Sequence, residues 1–146
     1  MSDQTNLPLT GGCMCGAVRF EVAEVPPGCG VCHCKRCQRR TGTAFSMSAP
    51  VAPGQLTITA GDDLIRWYDP GDGGWIKAFC ERCGSALFTR NPVSEHVSSV
   101  RMGSFDEDFG AKPRFHQFTD YAPAWGPVPD DGLPRFPERI PADQLP

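Results

Sequence analysis

The sequence predicts a mainly β fold: a compact single domain of short antiparallel strands and sheets, with one or two short helical turns and a proline-rich, irregular C-terminal tail. Three observations carry that expectation. The 146 residues include 16 Gly and 15 Pro against a charged fraction of 21%, a balance that breaks long helices and multiplies turns. Apolar and polar residues alternate in short runs, the period of a strand with one buried face. Clusters of turn-forming residues such as "DPGDGG" separate those runs. A chain of this length supports one hydrophobic core, so the domain is expected to span 1–146, with its core at about 10–122 and the tail at 123–146.

In chain order, "AVRFEV" places Val18, Phe20 and Val22 on one face, "AFSMSA" places Phe45 and Met47, and "LTITA" places Leu56 and Ile58. "LIRWY", "WIKAF", "ALFTR", "HVSSVRM" and "RFHQF" continue the pattern, which makes eight candidate strands. Only "CKRCQRRTG" reads as helix, a turn or two with Gly42 placed to end it. The tail "YAPAWGPVPDDGLPRFPERIP" carries too many prolines for regular structure.

A formal net charge of -3 and a pI of about 5.5 give no overall reason to expect nucleic acid or an anionic membrane as partner. The start, "MSDQTNLPLT", has neither a basic n-region nor an apolar h-region, and no apolar run approaches the ~20 residues of a membrane span. The expected location is therefore the cytoplasm. In that reducing compartment, eight cysteines point to metal ligation or catalysis rather than disulfides.

Spacing sorts those cysteines. "CMCG" (Cys13, Cys15) and "CERCG" (Cys80, Cys83) match each other, each with glycine after its second cysteine. Gly16 and Gly84 can adopt positive φ and turn backbone N–H groups toward thiolate sulfurs. Two such knuckles from remote parts of the chain can close a tetrahedral four-cysteine zinc site of the structural kind. The opening of the helical segment, "CHCKRC", supplies Cys32, Cys34 and Cys37. Three thiolates in six residues can reach one Zn²⁺ and leave a position free, as catalytic zinc sites do. Closure by Cys29, through "CGVC", is the alternative, and it would make both sites structural. His33 lies between two of the cysteines, so its side chain should project away from them. It, His96 and His116 read as histidines supporting the fold or a pocket wall. Lys35, Arg36, Arg39 and Arg40 either receive substrate carboxylates or form a solvated face that offsets thiolate charge.

Taken together, "GGCMCGAVRFEV", "CHCKRC", "FCERCGSALF", "VRMGSFDE" and "PRFHQFTDYAPAWGPVPDDGLPRF" resemble the glutathione-dependent formaldehyde-activating enzyme family, which also includes centromere protein V. The resemblance runs in order along nearly the whole chain; Gly132 interrupts the tail pattern, and Cys29 is not part of the family's ligand pattern. It implies a mainly β fold organised around zinc knuckles, with a structural zinc on Cys13, Cys15, Cys80 and Cys83 and a catalytic zinc on Cys32, Cys34 and Cys37. It also implies a carbon–sulfur lyase whose partners are small molecules, a thiol and an electrophile. By the same resemblance, glutathione would be the co-substrate, joined to formaldehyde as S-hydroxymethylglutathione. A non-catalytic zinc module that binds a partner is the competing expectation.

Overall fold

A computed structural model describes residues 6–145. Eleven strands and one α-helix occur among them, and the chain divides into two compact units, each built from two separate stretches: 1–27 with 49–110, and 28–48 with 111–146.

The first unit holds two antiparallel arrays. In one, β1 (Leu9–Gly12), β2 (Arg19–Val22) and β5 (Leu56–Ala60) lie in the order β1-β2-β5. In the other, β6 (Ile65–Tyr68), β7 (Ile76–Cys80), β8 (Ala86–Arg90) and β9 (Ser99–Arg101) pair with their sequence neighbours, as short turns allow. The alternation read from "AVRFEV" is realised, with Val18, Phe20 and Val22 all buried. Phe20 meets Phe88 edge-on at 5.3 Å and Phe105 at 5.8 Å, a favoured geometry for aromatic pairs. Leu9, Leu87, Val100 and Ala78 complete the core, with Leu56 and Ile58 packed against it. β6 departs from the half-buried pattern. Arg66, Trp67 and Tyr68 are exposed, and the guanidinium of Arg90 covers the Trp67 ring at 5.3 Å.

The second unit is a sheet in the order β11-β10-β3-β4. Its members are β3 (Cys29–Cys32), β4 (Ser46–Pro50, the first residues of which belong here), β10 (Pro113–Gln117) and β11 (Arg135–Phe136). The helix α1 (Lys35–Thr41) connects β3 to β4, which are antiparallel. Gly42 ends α1 at φ 72°, with its N–H on the Gln38 carbonyl, as the sequence led us to expect.

Three features differ from expectation. β10 is parallel to both β3 and β11; parallel pairs need long connections, and the chain between Cys32 and Pro113 supplies one. The tail is irregular apart from short 3₁₀ turns and β11, which adds a strand beside β10. In β4 it is Ser46 and Ala49 that are buried, rather than Phe45 and Met47, because the Ser46 hydroxyl is used by a cysteine. Among the described residues, no helix is long and apolar enough to cross a membrane.

Candidate metal centres

The first centre lies in the first unit. The chain leaves β1 into a turn in which Gly16 N–H donates to the Cys13 carbonyl at 3.1 Å, and Val18 N–H donates to Cys13 Sγ at 3.3 Å. After β7 a matching turn forms, with Gly84 N–H on the Cys80 carbonyl at 2.8 Å. Gly16 and Gly84 have φ of 80° and 78°, the left-handed conformation that side chains resist. The sulfurs of Cys13, Cys15, Cys80 and Cys83 all lie within 4.8 Å of one another. A tetrahedral zinc with sulfur at about 2.3 Å requires S···S separations of about 3.8 Å, so the donor set fits the ion.

The electrostatics agree with that fit. Hydrogen bonds from the Ser85 hydroxyl and backbone push the Cys83 thiol down to about 5. The Ala17 N–H favours the Cys15 thiolate, but the crowding sulfurs of Cys13, Cys83 and Cys80 outweigh it and push that thiol up to about 11. Four thiols this close cannot all ionise unless a cation offsets the charge. Ser85 went unnoticed in the sequence, yet it binds the two knuckles together: its hydroxyl accepts from Met14 N–H at 2.9 Å and lies 3.2 Å from Cys83 Sγ.

The second centre lies in the second unit. Cys32 closes β3, Cys34 caps α1 and Cys37 sits in its first turn. Their sulfurs also lie within 4.8 Å of one another. Cys34 Sγ accepts from Cys37 N–H at 3.3 Å, and Cys37 Sγ accepts from the Ser46 hydroxyl at 3.1 Å. Cys34 and Cys37 as neighbours, followed by burial, push the Cys32 thiol far up, the same sign that a cation is wanted. Among the described residues no fourth His, Cys, Asp or Glu joins this group. Cys29 is buried on β3, where the period of two sends residues three apart to opposite faces of a strand. Burial alone raises its thiol.

Lys35, Arg36 and Arg39 are exposed on α1, and Arg40 is half-buried. Arg39 and Arg40 in the last turn also suit the negative end of the helix dipole. Gln38, which the sequence did not single out, is buried and donates from Nε2 to the carbonyls of His33 at 2.9 Å and Tyr121 at 3.0 Å. It ties α1 to the cysteine turn and to the chain after β10.

The histidines separate. His96 is on the surface, with Nδ1 2.6 Å from the Ser94 hydroxyl. His33 and His116 are buried and hydrogen-bonded to each other, and His116 reaches Asp131. The signal for this was present in "RFHQF" and "DDGLPRF", but strand period says nothing of partners so far apart in sequence.

A mainly β chain that gathers seven of its eight cysteines into two clusters that could each hold a metal ion defines a class of cysteine-rich β domain. Comparison with known proteins narrows that class. Residues 8–121 match the family model described as glutathione-dependent formaldehyde-activating enzyme, and the chain belongs to that family. A relative from Halomonas elongata, named provisionally as a glutathione-dependent formaldehyde-activating enzyme, is 28% identical over 127 residues, 80% of this chain and 78% of its own. The crystal structure of a Rhodobacter sphaeroides protein shares the fold, with a TM-score of 0.57 at 22% identity over 87% of this chain and 98% of that one.

Proposed function

We propose that the protein is a zinc-dependent carbon–sulfur lyase-type enzyme acting on thiol adducts, with glutathione and formaldehyde as the best-supported pair. The observation that carries this reading is the three-sulfur cluster of Cys32, Cys34 and Cys37, beside a four-sulfur cluster elsewhere in the same chain. Cys13, Cys15, Cys80 and Cys83 would hold a structural ion; Cys32, Cys34 and Cys37 would hold one with a position left for a substrate sulfur. When bound, zinc keeps a thiol deprotonated near neutral pH.

The chain's own groups supply the rest. The Cys37 N–H and the Ser46 hydroxyl, on Cys34 Sγ and Cys37 Sγ, hold the cluster's sulfurs in place. Lys35, Arg36, Arg39 and Arg40, on the helix that carries Cys37, would receive the carboxylates of glutathione. In the forward direction the thiolate sulfur bonds to the aldehyde carbon, the carbonyl π pair moves to oxygen, and that oxygen takes a proton. The reverse breaks the same carbon–sulfur bond. Positioning is the main contribution asked of the protein.

Metal counting on the purified chain should give two ions per molecule. Glutathione titrated into cobalt-substituted protein should add a thiolate-to-cobalt band that Cys34→Ser abolishes, and Cys29→Ser should retain both metals. A spectrum that stays fixed at saturating glutathione overturns the enzyme reading and assigns both clusters to holding the fold.

A further inference from the structure

The second unit contains a line of three polar side chains that the chemistry above does not use. Asp131 Oδ2 lies 2.8 Å from His116 Nε2, and His116 Nδ1 lies 2.9 Å from His33 Nε2. The two rings are 2% and 0% exposed, and His33 Nδ1 is a buried nitrogen without a hydrogen-bond partner. His33 stands between Cys32 and Cys34, and its backbone is tied on both sides: its N–H donates to Gln117 O at 3.0 Å and its carbonyl accepts from Gln38 Nε2.

Hydrogen positions along this line follow by elimination. An ionised carboxylate only accepts, so His116 Nε2 carries the hydrogen directed at Asp131. A hydrogen on His33 Nδ1 would be buried with no acceptor, so His33 presents an Nε2 hydrogen to His116 Nδ1. The hydrogen shared between the rings therefore sits on His33 Nε2, which leaves His33 Nδ1 bare.

We infer that Asp131, His116 and His33 form a polarised hydrogen-bond chain that fixes His33 in its Nε2–H tautomer and holds the Cys32–Cys34 turn in the geometry the second cluster needs. The purpose, though not the chain of hydrogen bonds, rests on reading that cluster as a metal centre. His33 and His116 are positioning residues, since neither joins the sulfurs. The carboxylate comes from the tail, so a segment with little regular structure sets the orientation of a ring among the cysteines. Outer partners that orient a metal centre in this way typically change metal affinity by about 10–100-fold when removed.

Nitrogen-15 imidazole spectra of the full zinc-loaded chain read the tautomers directly. Both rings should appear as neutral Nε2–H; a hydrogen on Nδ1 of either ring, or a doubly protonated ring, overturns the proposed chain. Asp131→Asn keeps the shape but offers a donor as well as an acceptor, and should convert His33 to a mixture of tautomers. An unchanged His33 spectrum in that variant means a packing role only, and overturns the polarity. Asp131→Ala should weaken zinc retention at the second cluster about tenfold in competition with a chelator, with the four-cysteine site unaffected; equal retention overturns the positioning role. A wild-type chain that holds one zinc instead of two overturns the metal reading and the purpose assigned here, whereas the tautomers are judged from the imidazole spectra alone.

Discussion

Gln38 shows what one buried amide can hold. Its Nε2 serves two carbonyls, those of His33 and Tyr121, and truncation would leave both without that donor in a buried place. Gln38→Ala should lower stability by about 1–3 kcal/mol, read as a lower urea midpoint at unchanged slope. A second residue-scale case has the sign of a carboxylate. The Arg19 guanidinium and then the Thr10 hydroxyl hold the Asp106 carboxyl below its usual range. A depressed folded value means that the contribution is present above the unfolded pKa of about 3.9 and disappears as pH falls through the folded one. Both side chains are more than a third exposed, so screening limits the effect to under about 1 kcal/mol. Wild type should exceed Asp106→Asn in stability near neutral pH, with the gap closing in acid; a gap that widens in acid contradicts this assignment.

At the scale of elements, the strands with an apolar period were legible and those without it were not. Val18, Phe20 and Val22 announce β2 because every second side chain must enter a core. β3 reads "CGVC", with no β-branched run, and becomes a strand because β4 and β10 pair with it on either side. β11 is two residues long and exists only as a partner of β10. Spacing identified the cysteine groups, since ligands of one knuckle are near neighbours in sequence. Ser46, Asp131 and the bond from Met14 to Ser85 escaped because each partner is reached through the fold, and a lone polar residue has no period to betray it. The knuckle after β7 gives this scale its test. On the proposed metal reading, Cys80→Ser would remove a ligand whose ion would contribute on the order of 10 kcal/mol to folding, comparable with the whole stability of an ordinary domain. The variant should lose one metal and, by circular dichroism, the cooperative unfolding of the first unit. A variant that keeps a sharp transition would mean that the hydrophobic core suffices without the staple.

At the scale of the whole molecule, each unit is assembled from two stretches of chain, with the boundaries at 27/28, 48/49 and 110/111. This division was not visible in the sequence, because composition does not shift at those points and all the stretches share the same short-strand pattern. It has a consequence for how the protein is made. A ribosome delivers Cys32, Cys34 and Cys37 before Cys80 and Cys83, so the three-sulfur set is chemically complete first. The strands β10 and β11 and the carboxylate of Asp131, which surround its histidine neighbour in the finished unit, arrive only after β9 has been made. Until then the nascent chain carries a thiol cluster open to metal or oxidant whose protein scaffold is incomplete. The four-cysteine knuckles, by contrast, are completed at Cys83, when β1, β2, β5 and β7 have already been synthesised to receive them.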